Sequence, residues 1–177
     1  MKLLFREKIS IPKMYEVIDE TGKIAFLVKR EYAIGPMFHI YDSKGRPAGI
    51  IKKQLASFPS TYEIYVEGKY VGSIKKQLAL LKPVFDIDYK GWHIEGNTME
   101  FEYGIFNDTG KIIASVTKKL FQVMDTYVIS VANPEDALHA LMLVVAIDYD
   151  KDMRDDDWRD ITFIVGQNDF KRRPKQI

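Results

Sequence analysis

The chain has 177 residues, 46% of them hydrophobic and 29% charged, proportions that suit one globular domain with a substantial core and leave little room for two. Its 26 basic and 25 acidic residues give a formal net charge of +1, so there is no whole-molecule field to draw in nucleic acid. The absence of cysteine excludes a disulfide framework, a thiolate zinc site and a cysteine nucleophile, and it fits a reducing cytosol.

The opening "MKLLFREKIS" places only three apolar residues between Lys2 and Arg6, too few for the core of a signal peptide. The expectation is a soluble, cytoplasmic monomer. Residues Leu3 to Asp19, "LLFREKISIPKMYEVID", read as a first, degenerate β-hairpin. A repeat then begins. "GKIAFLVKREY" starts at Gly22, "GRPAGIIKKQL" at Gly45 and "GKYVGSIKKQL" at Gly68, with Gly91 at the same 23-residue interval and "GKIIASVTKKL" at Gly110. Each copy is followed by an alternating run, "FHIYD", "YEIYV", "FDIDY" or "YVISV". Such alternation puts Tyr62, Ile64 and Val66 on one face of a strand and Glu63, Tyr65 and Glu67 on the other, the pattern of a half-buried β-strand. The glycines stand where positive φ closes a tight or bulged turn.

Trp92 to Asp108 fits a further hairpin turning at Gly96 and Asn97. Six hairpins predict about twelve antiparallel strands, and a closed barrel is the simplest way for them to share one core. At the fifth position of the repeat stand Gly49, Gly72 and Ala114, with Phe26 as the exception. Two readings stay open there: small residues that let the wall approach something central, or glycines at β-bulges.

Asn133 is a suitable N-cap, Pro134 suits the first helical position, and Glu135 and Asp136 complement the helix dipole. The spacing predicts a helix from Pro134 to Tyr149. Within it, Ala137 to Ile147 contains only one polar residue, His139. That stretch is shorter than the roughly 20 residues a bilayer requires, yet it is apolar on every side. About twelve strands leave a lumen wide enough for a helix about 10 Å across, so the barrel is expected to wrap this helix. The organisation is therefore mainly β, with residues 1–150 forming a barrel around a hydrophobic C-terminal helix and 151–177 an extension. In that extension Trp158, Ile161 and Val165 have helical spacing while Ile161, Phe163 and Val165 alternate as in a strand, and Lys171, Arg172, Arg173 and Lys175 form a basic tail.

Strands first and a very apolar helix last, with "G-K-x-x-A/G-x-I-x-K-K" hairpins, resembles the tubby C-terminal-domain-like fold and, in its single-domain form, the LURP-one-related family. The resemblance covers nearly all of residues 1–150. Relatives of this fold include phosphoinositide-binding tubby domains and phospholipid scramblases. The resemblance therefore implies a binding or membrane-linked role without enzymatic activity.

The residues themselves supply a candidate site. Lys29 and Arg30, Lys52 and Lys53, Lys75 and Lys76, and Lys118 and Lys119 recur at nearly the same place in successive hairpins. Equivalent positions of a barrel lie at similar heights, so Lys52, Lys53, Lys75, Lys76, Lys118 and Lys119 are candidate anion-binding residues. Each cation near an acidic surface is worth about 1 kcal/mol. The expected partner is an anionic membrane lipid or an acidic protein; the competing reading has the lysines solvating strand ends and discouraging edge pairing, in a protein-protein adaptor with no lipid role. "DYDKDMRDDD" spaces Asp148, Asp150 and Asp152 like the start of a calcium loop, but Met153 replaces the glycine and Arg159 the bidentate Glu, so it reads as a solvated acidic connector. His39 and His93 fall in strands, and His139 reads as a hydrogen-bonded core residue. No nucleophile elbow, zinc-protease helix, P-loop or dinucleotide fingerprint is present, and no catalytic residue, metal or cofactor is predicted.

Overall fold

The structure is a computed structural model that describes residues 1–8, 10, 12–33, 35–77, 84–119 and 126–151. The expected twelve strands are β1 (Lys2–Lys8), β2 (Met14–Asp19), β3 (Ile24–Ala33), β4 (Gly35–Asp42), β5 (Pro47–Lys53), β6 (Thr61–Val66), β7 (Lys69–Gln77), β8 (Val84–Asp88), β9 (His93–Asn97), β10 (Glu102–Phe106), β11 (Ile112–Lys118) and β12 (Thr126–Val131). They form one antiparallel sheet in the order β8-β7-β6-β5-β4-β3-β2-β1-β12-β11-β10-β9. The first strand pairs with the last, Leu4 opposite Val128, and the sheet curls into a nearly closed barrel.

The turns follow the repeat. Asp19, Asp42 and Asn107 each use one side-chain oxygen to accept backbone N–H groups two and four residues on: Thr21 and Lys23, Lys44 and Arg46, Thr109 and Lys111. The glycine that follows takes positive φ, +82° at Gly22 and +75° at Gly45, where a side chain would be strained. Hydrogen bonds from Thr21 hold the Asp19 carboxyl below its usual range, and those from Arg46 do the same at Asp42.

After each of four turns one extra residue is inserted. The pairing slips once between β2 and β3, β4 and β5, β6 and β7, and β10 and β11, leaving Ala25, Ala48, Val71 and Ile113 without a direct partner. The next residue in each case is the fifth position of the repeat, Phe26, Gly49, Gly72 or Ala114, so the bulge reading holds at all four. The close-approach reading holds as well at Gly49, where an added Cβ would stand 2.9 Å from the Met142 methyl group on the helix. A bulge sharpens right-handed twist, and four at one height bend the sheet in one sense.

The helix, α1, follows β12. Asn133 is extended and makes no side-chain capping hydrogen bond; Pro134–Asp136 form a 3-10 turn in which Asp136 N–H donates to the Asn133 carbonyl, 2.9 Å. The α-helical conformation runs from residue 137 and continues to 151. Residues 140–150 are all buried, which accounts for a stretch without a polar side: the inward residues of the wall surround it. Leu3, Phe5, Val17, Val28, Ile51, Ile64, Ile74, Val116 and Ile129 join the helix in one core. No helix among the described residues is long and apolar enough to cross a membrane.

The circle has one seam. β8 and β9 are neighbours in sequence but occupy opposite edges of the sheet. Between them, Tyr89 and Trp92 are buried, and their rings stand 5.2 and 6.3 Å from that of His139 on α1. Lys90 reaches Asp136 at 3.1 Å. The link thus binds the start of the helix where a hairpin would have continued its ladder. The next hairpin, β9 with β10, turns at residues 98–101 and not at Gly96 and Asn97; Gly96 lies within the ladder opposite Tyr103.

Burial pulls the His139 pKa below the usual imidazole range, opposed by the Glu135 carbonyl. The unfolded chain then binds the extra proton first, so this group's contribution to stability is full above about pH 6.5 and falls as pH drops toward the folded pKa. Thermal unfolding followed from neutral to mildly acidic pH is expected to show a smaller loss of stability for His139→Gln than for the unsubstituted chain. Equal losses would remove His139 as a source of acid sensitivity.

Candidate functional site: a cationic rim

The glycine turns lie at one end of the barrel, and α1 starts there and runs toward the other. At that far end the paired basic residues of the repeat part company, because neighbours in a strand face opposite sides. Arg30, Lys53, Lys76 and Lys118 each stand two residues after a buried inward residue, Val28, Ile51, Ile74 and Val116, and so point toward the lumen. Lys52 and Lys75 face outward, directly across from the carboxylates Glu63 and Asp86. Lys119 shares the exposed face with Thr117. Of the six lysines singled out in the sequence, Lys53, Lys76 and Lys118 therefore share the inner rim, and Lys52, Lys75 and Lys119 lie on the outer wall.

The inner set converges on the helix. The Arg30 guanidinium lies 5.7 Å from the centroid of the Tyr149 ring and the Lys53 ammonium 5.8 Å, so two cations share one aromatic platform. The next helical residue, Asp150, is 3% exposed and accepts from Lys76 Nζ at 2.6 Å and from the Tyr62 hydroxyl at 3.2 Å. Burial first, then the Asp150 charge, push the Tyr62 pKa well upward, so the phenol stays a donor. Around the rest of the rim Lys118 approaches the Tyr127 ring at 5.9 Å, Lys13 the Tyr15 ring at 5.4 Å and Lys151 the Phe101 ring at 5.0 Å.

Six cations thus face three carboxylates among the described residues: Asp150, Glu7, which meets Lys13 at 3.0 Å, and Asp148, which lies deeper beside Tyr103. Burial and the Asp148 charge raise the Tyr103 pKa well above its ordinary value. Asp148 and Asp150 are helical and buried, not part of a solvated connector, because α1 continues past them into the barrel mouth. Among the described residues no group of three or more His, Asp or Glu is placed to hold a metal ion. Asp152, Met153, Arg159 and the tail lysines and arginines lie outside the described residues.

Sequence reasoning passed over Lys13, Tyr149 and Lys151, and it noted Arg30 without placing it in the site. The signal for Arg30 was present: it keeps the same two-residue offset from an inward apolar residue as Lys53 and Lys76 do. Tyr149 carried no such signal, since its role depends on partners far away in the chain.

Among solved structures, a protein of Arabidopsis thaliana is similar to this chain with a TM-score of 0.57 at 16% sequence identity, covering 84% of this chain and 91% of the plant protein. At that identity the likeness concerns the fold. No curated protein matches the chain. The family described as LURP-one-related matches residues 1–148, which take in every strand of the wall and most of the helix it encloses. The chain therefore belongs to the LURP-one-related family.

Proposed function

We propose that this protein is a non-catalytic binding protein whose inner rim receives an anionic, phosphate-bearing group. The observation that carries the reading is the convergence of Arg30 and Lys53 on the single Tyr149 ring. Two cations held 5.7 and 5.8 Å from the centroid of one ring give the barrel mouth a positive local field, which draws in an anion. Lys76 meets Asp150 and sets the geometry, and Arg30, Lys53 and Lys118 stand with it on the inner rim and add to the attraction. Lys52, Lys75 and Lys119 on the outer wall add long-range field, and the cross-strand carboxylates Glu63 and Asp86 offset the first two.

Co-sedimentation with phosphatidylcholine vesicles, with and without phosphatidylserine, tests the reading, and a soluble inositol polyphosphate run in parallel separates a headgroup from a free phosphate. At about 1 kcal/mol per cation, Arg30→Gln with Lys53→Gln is expected to weaken binding roughly thirtyfold. Lys52→Gln with Lys75→Gln is expected to have the smaller effect. Binding that weakens steeply with ionic strength belongs to this picture. No binding to either anion at low salt overturns it, as does an outer-wall pair that matters more than the inner one.

A further inference from the structure

We infer that the link between β5 and β6 is a membrane-insertion tip, so that the anion met by the inner rim is a lipid headgroup in a bilayer surface. The inference rests on the proposed anion-binding role of the rim and adds to it the identity of the surface.

Two large apolar side chains are displayed on this link, Phe58 at 87% exposure and Leu55 at 57%. They are not the free end of a loose loop. Gln54 N–H donates to the Thr61 carbonyl at 2.9 Å, closing the link at its base, and the Ser57 hydroxyl donates to the Gln54 carbonyl at 3.1 Å and accepts from Thr61 N–H at 3.1 Å. The Ser60 carbonyl accepts from Lys76 N–H at 2.9 Å, tying the link to β7. Leu55 lies against the Gly35 backbone, where an added Cβ would come within 2.7 Å of its Cδ2. A braced link thus holds Phe58 in water at 87% exposure, well above any other large apolar side chain among the described residues.

The charge beside it decides the occupant. The link leaves β5 directly after Lys53 and docks on Lys76, so the apolar tip and the cationic rim share one end of the barrel. An aromatic and an aliphatic side chain flanked by lysines match the boundary of an acidic bilayer, where apolar groups enter the acyl region and cations stay at the phosphates. Neither side chain need cross the membrane, and none of the barrel has to open.

Because the chain lacks cysteine, Phe58→Cys carries a single environment-sensitive nitrobenzoxadiazole probe. On vesicles of phosphatidylcholine and phosphatidylserine, its emission is expected to shift to the blue and to be quenched by lipids doxyl-labelled near the carbonyl. The unlabelled Leu55→Ala, Phe58→Ala variant is expected to bind those vesicles about 10- to 100-fold more weakly, the effect of withholding two apolar side chains, while its affinity for soluble inositol polyphosphate is unchanged. Vesicle binding with an unshifted probe overturns the insertion tip and leaves the anion-binding role standing, which would point to a protein as the partner of this link. A probe already shielded before vesicles are added overturns it too, since the chain then covers its own tip. Absence of any vesicle binding overturns the membrane surface, and the inositol polyphosphate arm then shows whether the rim reading falls with it.

Discussion

Leu141→Ala is expected to lower the free energy of unfolding by about 2–5 kcal/mol, the cost of a cavity in a core that cannot collapse around it. Leu141 is fully buried one turn into α1, and the wall around it is a hydrogen-bonded sheet of twelve strands with its seam between β8 and β9. Side chains of a flexible core could move in to fill the space; here the strands would have to shift as a body. Val145→Asp, at a position 1% exposed, is expected to leave no cooperatively folded protein, because a carboxylate there has neither water nor a described cation within its own turn. Urea unfolding followed by tryptophan emission and far-ultraviolet dichroism checks both. A Leu141→Ala protein with an unchanged midpoint would mean that the helix is not the core of the barrel.

Gly72→Ala is expected to cost more than about 4 kcal/mol, well above the ordinary range for a single substitution. The added methyl group would fall within the van der Waals shell of the Asp88 carbonyl oxygen and 3.1 Å from the Tyr89 Cβ. These belong to the backbone at the end of β8 and to the link that seats Tyr89 on the helix, so neither can swing aside. Gly49→Ala, the equivalent position one repeat earlier, is the control. Its nearest neighbour is the Met142 methyl group, the far end of a flexible side chain, with the Tyr65 carbonyl at 3.2 Å, and its expected cost is about 1–2 kcal/mol. The difference between the two variants, read from urea midpoints at equal slope, isolates the seam; equal costs would place the strain in the bulge itself.

The wall was legible because its information is local and repeated. Gly22, Gly45, Gly68 and Gly110 take the positive φ their turns demand, and the alternating runs beside them each become a strand. The helix was legible from the lack of a polar side between Ala137 and Ile147. The seam was not, since a glycine at Gly91 announces a turn but not whether the strands it joins will pair, and Tyr89 and Trp92 found a better surface on α1. The Gly96 turn misled for the opposite reason: Gly-Asn is a turn signal, but the chain reverses two residues later, with Phe101 taking positive φ, +52°. Asp148 and Asp150 read as solvated because their neighbours in sequence are acidic, whereas the partner of Asp150 is Lys76, 74 residues away. In the candidate site the doublets of basic residues were visible, but their division between lumen and outer wall required counting parity from the buried residue of each strand.

The pairing of β1 with β12 also governs how the protein is born. A ribosome delivers eleven strands whose greasy faces have nothing to lie against, then the strand that joins the ends, and last of all the rod that fills the hollow. Long-range closure of this kind is slow and exposes the nascent chain to aggregation, so the hazard peaks just before synthesis of the final tenth of the barrel, and a pause there would be costlier than anywhere earlier in translation.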